Sequence, residues 1–344
     1  MDRARMRSPS RLLHGLVLLS STTWAATDVY VDAIHGSDAT GAGTVAAPYR
    51  TISAGLRSLG GSGPHTVHAA PGLYDAALGE TFPLVVGDGL SLVGAGAHET
   101  VIAGQGDEVA LVELRRRSLV SDVTVRNAGV GISSPPAAAF ALHYVRRCAI
   151  EQCDVGVFAY DAPGIDHGLV IASSVIAANG VGLRAQAPVC VVNSVSVLVY
   201  GTTITGNLVG VEALQPQVLC ELYLRLYHSI VRGNGDDSIQ GWSPLLAGTP
   251  LSLGNVLSEP SLLGFGGNVD VDPLLAASTA GDAHLAGISP VVDLAAPGTP
   301  WPPTAAWIEG GWIWEPSFAA VGDIDRGARI VGAKVDPGAD ERIV

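Results

Sequence analysis

Five blocks of this chain fall into register: LVSDVTVRNAGVGI, VRRCAIEQCDVGVF, IASSVIAANGVGL, VYGTTITGNLVGV and LYHSIVRGNGDDSI. Aligned on Gly131, Gly156, Gly182, Gly210 and Asp237, their anchors stand 25, 26, 28 and 27 positions apart. A near-constant period of this length marks an architecture in which each repeat buries its apolar face against its neighbours. The columns agree chemically. Six positions before the anchor stand Val125, Ile150, Ile176, Ile204 and Val231; eleven before it stand Val120, Val145, Ile171, Val199 and Leu226. Apolar pairs flank the first four anchors (Val130/Ile132, Val155/Val157, Val181/Leu183, Val209/Val211), giving the period of two that strands require. Eight before the anchor, Val123, Cys148, Ser174, Thr202 and Ser229 are small enough to stack inside. Asn179, Asn207 and Asn234 share one turn position, where asparagine tolerates the left-handed conformation and can form a side-chain ladder.

Short strands, no helical period, and no WD or LxxLxLxxN pattern exclude a propeller and a leucine-rich horseshoe. The expected fold is all-β: a single-stranded right-handed parallel β-helix with an N-terminal capping helix and an irregular C-terminal tail. TVHAA, PLVV, LSLVG, ETVIAG and VALVEL read as its first, less regular coils. With 43 glycines and only 15% charged residues, the composition suits many short strands joined by turns. A net charge of −13 argues against nucleic acid and against a basic membrane-binding patch. Residues 1–25 read as a secretory signal, with an arginine-rich start, the apolar run Leu12 to Leu19, and Thr23 and Ala25 at the −3 and −1 positions. The expected division is therefore signal 1–25, cap and first coils 26–115, regular coils 116–240, and last coils with tail 241–344. A monomer without a membrane span is expected after signal removal, secreted or held at the cell surface.

The stretch GSDATGAGTVAAPYRT, from Gly36 to Thr51, invites a phosphate-loop reading. Ala42 stands where that motif needs its lysine, so the reading fails. GAGAHET at Gly94 fails as a dinucleotide loop, because Glu99 replaces the third glycine and no helix follows. Thr51 can instead cap a short helix with Ile52, Leu56 and Leu59 on one face and Gly60–Gly61 ending it. Laid over the first coil, such a helix would cover an open sheet end.

Val29 to Gly106 resembles the DUF1565 type of N-terminal segment, which leads into a pectin-lyase-like β-helix. The resemblance rests on VYVDAIHGSDATGAGTVAAPYRTISAGL followed by VHAAPGLYDAALGETFPLVVGDGLSLVGAG. The tail, DVDPLLAASTAGDAHLAGISPVVDLAAPG and then DIDRGARIVGAKVDPGADE, is similar to the ending of many exported β-helix proteins. It departs from that pattern at Arg326, and by an insertion bearing Trp301, Trp307, Trp312 and Trp314. The resemblance implies fold and export, and it leaves function open.

Parallel β-helix enzymes act on polysaccharides along an outer face, by arginine or lysine bases with calcium or by paired carboxylates. Lys334, the only lysine, lies in the tail, which removes a lysine base from the coils. Asp161, Asp166 and His167 lie in one inserted loop that could bind calcium through oxygen ligands or present an acid/base pair. Asp236 and Asp237 offer a second carboxylate pair, while a polygalacturonase pattern is otherwise absent. Asp122 stands one coil from Arg147, and Arg126 one coil from Glu151: either a charged groove floor or cross-coil ion pairs. Cys190 and Cys220 occupy equivalent loops and could form a disulfide, whereas Cys148 and Cys153 are expected unpaired. Zinc spacing is absent. Two functions follow: binding of extracellular or cell-surface carbohydrate without catalysis, or a polysaccharide lyase or glycoside hydrolase working in a groove.

Overall fold

The computed structural model describes residues 26–60, 62–136, 141–160, 167–186, 194–214, 221–241 and 252–260, with shorter stretches beyond, the last ending at 339. Among them, three parallel sheets of nine, seven and eight strands wind into a parallel β-helix. Each complete coil contributes one strand to each sheet, and the terminal coils contribute to one or two of them. Coil registers repeat the sequence alignment, with Val130 beside Val155, Val155 beside Val181 and Val181 beside Val209. The apolar columns form the core: Val125, Ile150, Ile176 and Ile204 are all 0% exposed, as are Val120, Val145, Ile171 and Val199. Each such side chain contributes about 1.5–3 kcal/mol through burial.

Two left-handed corners turn each coil. Asp122, Arg147, Ser173, Gly201 and His228 form one such column, with φ between 44° and 61°. Asn127, Gln152, Ala178, Gly206 and Gly233 form the other, with φ between 57° and 77°. The left-handed residue therefore precedes the asparagine, contrary to the expectation from its conformational tolerance. Asparagine is needed for its side chain. Asn179 Nδ2 donates to Asn207 Oδ1 (3.0 Å) and Asn207 Nδ2 to Asn234 Oδ1 (2.9 Å). Each Oδ1 also accepts the backbone N–H of the preceding coil's ladder residue. A second ladder passes from Ser229 to Asn255 and Asn268 by the same backbone-to-side-chain bonds. The glycine anchors sit against the asparagine ladder: a Cβ on Gly182 would meet Gly210 O at 2.7 Å and Asn207 Nδ2 at 2.9 Å.

Regularity ends at the fifth anchor. The register shifts between Val209 and Val211, so Ile239, not Ser238, enters the core column (4% exposed). Asp236 pairs with the half-buried Val209, a rim position where a carboxylate reaches water.

The first coil is closed by the helix Ile52–Ser58, which buries Ile52 and Leu56 and sits on Val31 and Val67 at Gly55. Thr51 caps it, its hydroxyl accepting from Ala54 N at 3.1 Å. The glycine-rich stretch folds back to hold that cap. Asp38 accepts from Arg50 N, Thr51 N and the Thr51 hydroxyl, and a Cβ on Gly36 would collide with Tyr49 O. Glu80 of GETFPL accepts from Ile52 N and Ser53 N, so both motif segments converge on one helix terminus. Burial, against these hydrogen bonds, pushes the Glu80 carboxyl above its ordinary range.

The tail returns to the coils. Gly338 N donates to His228 O, Ala339 N donates to the Thr203 hydroxyl, and Ile324 and Ala339 pack on Ala149, Val175 and Ala177 of the eight-stranded sheet. Arg326 reaches Asp122 Oδ1 at 2.9 Å and Gly94 O at 3.2 Å. Asp122 is also held bidentately by Arg147 at 2.8 and 2.7 Å and is 1% exposed. The expected cross-coil pair exists, and it is buried and shared with the tail. Arg126 and Glu151 pair at 3.8 Å. Cys148 and Cys153 are buried and unpaired, with burial pushing their thiols up to about 12 and about 11.

Two outcomes test this framework. Asn207→Ala removes the acceptor of Asn179 and should cost roughly 2–4 kcal/mol, read as a lower urea midpoint with unchanged slope. Burial acts to raise the Asp122 pKa, but the hydrogen bonds and charge of Arg147, with a hydrogen bond from Arg326, hold it below the ordinary carboxylate value. The stability it contributes is therefore full above that ordinary value and is lost as pH falls through the lower folded value. Asp122→Asn should destabilise at neutral pH, with the gap to the native protein narrowing below about pH 4. A pH-independent gap would contradict this.

Candidate functional site

The three outer faces of the β-helix differ in what covers them. On the eight-stranded sheet, Ala149, Val175, Ala177 and Thr203 lie under the tail and are 0–3% exposed. On the nine-stranded sheet, the outward Ser196, Leu198 and Tyr200 are 0–2% exposed, and Tyr200 stacks on Tyr227 at 4.8 Å. Burial pushes both of these phenols above their ordinary pKa. Outside these middle coils the nine-stranded sheet is half open, at Tyr144, Arg146, Tyr223 and Arg225, and the seven-stranded sheet is half open along nearly its whole outer face.

One column crosses that sheet from end to end. Val85, Glu113, Ser133, Phe158, Arg184, Glu212 and Gln240 are successive backbone partners. Apart from Ser133 (7% exposed), every member keeps substantial contact with solvent. A second column, Tyr160, Gln186 and Leu214, runs beside it. Outward placement follows from alternation, because Val157, Ala159, Leu183 and Ala185 between them are 0% exposed.

Contacts pre-order the column. Phe158 and Tyr160 lie 4.8 Å apart with rings tilted 31°. The Arg184 guanidinium sits 5.9 Å from the Phe158 ring centre and pairs with Glu212. Arg115 pairs with Glu113. The result is a strip of one aromatic pair, two amides and mutually compensated charges, fixed on strands.

None of the described residues singled out in the sequence stands in this column. Asp161, Asp166, Cys190, Cys220, Trp301, Trp314 and Lys334 lie outside the described residues. His167 opens the strand His167–Ala172, its backbone beside Ala141 and Val195, with its side chain outside the described set. Trp307 and Trp312 are backbone partners in an antiparallel hairpin. Asp237 ends the asparagine ladder, accepting from Gly233 N, Asn234 N and Asn234 Nδ2. It also pairs with Arg232 at 3.6 Å, and Arg232 reaches Asp270 at 3.1 Å. Asp236 accepts from Ser238 and Gln240, and these hydrogen bonds hold its pKa below the ordinary carboxylate value. Both carboxylates are thus engaged by local donors. Among the described residues, no three His, Cys, Asp or Glu are grouped to hold a metal ion. No described helix is long and apolar enough to cross a membrane.

Phe158, Arg184, Glu212 and Gln240 were not singled out by sequence reasoning. The first three stand two positions after successive anchors, and the bulge moves Gln240 to three. Their mixed chemistry gives no column signal, although the position itself was readable.

A family model described as "Protein of unknown function (DUF1565)" matches residues 34–217. No curated protein matches the sequence. Among solved structures, pectate lyase Pel9A aligns at 12% identity and a TM-score of 0.33, covering 92% of this chain and 96% of that one. The A-module of Azotobacter vinelandii mannuronan C-5 epimerase AlgE4 aligns at 16% identity and a TM-score of 0.21, covering 54% and 74%. ORF18 of Geobacillus virus E2 aligns at 14% identity and a TM-score of 0.24, covering 66% and 56%. At these levels the likenesses carry no argument about this chain's activity.

Proposed function

The chain belongs to the DUF1565 family of proteins of unknown function, and we propose that this member is exported and binds extracellular or cell-surface carbohydrate without catalysis. The observation that carries the reading is the half-open column that runs the length of the seven-stranded sheet, whereas the eight- and nine-stranded sheets are buried across their middle coils. Neighbouring strands lie about 4.8 Å apart. The column therefore repeats at a step close to that of one sugar unit in an extended glycan. Phe158 and Tyr160 offer ring faces to sugar C–H groups, while Arg184, Gln186, Glu212 and Gln240 offer donors and acceptors to hydroxyls. Binding energy would come from rings and hydrogen bonds already held in place, which lowers the ordering cost.

Non-catalytic binding is favoured by how the face uses its acids. Glu212 is committed to Arg184 and Glu113 to Arg115, so among the described residues this column presents no opposed carboxylate pair to flank a bound sugar link. Export rests on the reading of residues 1–25 as a signal.

A polysaccharide panel, incubated with and without calcium, should show retention on at least one glycan and no new reducing ends or unsaturated products. Either product would replace this reading with the lyase or hydrolase. Phe158→Ala should weaken retention about tenfold, or 1.4 kcal/mol, with unchanged circular dichroism. Expressed in full length, the mature protein should begin at Ala26, read by N-terminal sequencing. An uncleaved, intracellular chain would remove export from the account.

A further inference from the structure

The open column does not stop at its N-terminal end. Val85 (40% exposed) is both its first member and a wall of a cleft of about 610 Å³ between the capping helix and the first coils. That volume lies within the range of small-molecule sites, about 300–1,000 Å³. The floor is apolar, built by Leu56, Leu84 and Leu90, each 1–7% exposed, with Pro83 beside them. Two arginines line the cleft from opposite elements: Arg57 in the last turn of the helix, and Arg115 from the strand side.

Charge here runs against the rest of the molecule. Arg57 and Arg115 line the cleft and Arg116 and Arg117 pair with its Asp88, while among the described residues Glu113 on Arg115 and the buried Glu80 behind Ser53 are the other carboxylates beside it, in a chain of net charge −13. Asp88, which also lines the cleft, is held by Arg116 at 2.8 Å and Arg117 at 3.1 Å, so it does not oppose Arg57. Arg57 is exposed and makes no ion pair among the described residues. A guanidinium left free beside an apolar floor suits a ligand with a planar or tetrahedral anion on a hydrophobic ring. Further along the column the charges cancel, Arg184 against Glu212, which suits neutral units.

We propose that this cleft receives the end of the bound glycan, and that this terminal sugar carries one anionic group, a carboxylate or a sulfate ester. The proposal rests on the reading that the open face binds glycan, and it adds polarity to that binding. The chain end docks under the capping helix while its neutral units lie along Phe158, Arg184 and Glu212. A glycan charged at every unit would meet the overall negative field of the protein instead.

Xylohexaose, mannohexaose and cellohexaose can be compared by calorimetry with the same chains bearing a single uronic acid or a single sulfate ester at the non-reducing end. For any chain that binds, the capped form should bind at least tenfold tighter. That excess should vanish in Arg57→Ala and Arg115→Ala, whereas Phe158→Ala weakens capped and neutral chains by the same factor. The uronate and sulfate arms show which anion the cleft takes. Equal binding of capped and neutral chains, or an excess that survives both arginine substitutions, overturns the cleft and leaves the open-face reading standing. If no hexasaccharide binds, the open-face reading fails, and glucuronic acid and glucose 6-sulfate against glucose decide the cleft alone. Saturable binding lost in Arg57→Ala then supports it, and absence of saturable binding overturns it.

Discussion

One corner contact governs the rest of the molecule: the amide of Asn179 handed to Asn207, and that of Asn207 to Asn234. Each asparagine accepts a backbone N–H from the coil before it and spends its own N–H groups on carbonyls and on the next amide. The bonds run along the helix axis, so they fix the rotation of each coil relative to its neighbours. Apolar packing specifies the same register, because a one-residue slip would exchange inward and outward side chains and expose the aliphatic core. The ladder adds buried hydrogen bonds that only this register satisfies, and together they decide what the surface presents. Asp237 closes the ladder with a carboxylate because Asn234 still offers two donors and has no further asparagine to meet.

With register fixed, Phe158, Arg184 and Glu212 have to stand in a row on the seven-stranded sheet. Whether the row is useful depends on coverage. The described part of the tail, clasped by Arg326 on Asp122 and by Ala339 on Thr203, covers the middle coils of the eight-stranded sheet, away from the column on the seven-stranded sheet. The capping helix closes the first coil and in doing so creates the arginine-lined cleft at the start of the same row. Stability devices at the two ends of the chain thus shape one continuous surface.

The core columns and coil lengths were legible in the sequence because they repeat with consistent chemistry, as Val125 through Val231 do. The capping helix was legible from Thr51 and the spacing of Ile52 and Leu56. Its clamps, Asp38 and Glu80, were visible only as family-like motifs, since the contact to Glu80 spans 27 to 28 residues with no periodic trace. The asparagine column was readable and its left-handed partner was displaced by one, because propensity describes what asparagine tolerates and the ladder dictates where its side chain must point. Arg326 meeting Asp122 across 204 residues could not be read locally. The open strip escaped notice for a different reason: Ser133, Phe158, Arg184 and Glu212 share a place and no chemistry.

Hydroxyl-radical footprinting with a retained polysaccharide tests the account most directly, because it reports which outer face the ligand covers. Phe158, Tyr160 and Leu214 should be protected together, with Val85 protected at the end of the same row. Protection confined to the nine-stranded sheet around Tyr200 and Tyr227, with Phe158 and Tyr160 unchanged, would contradict it.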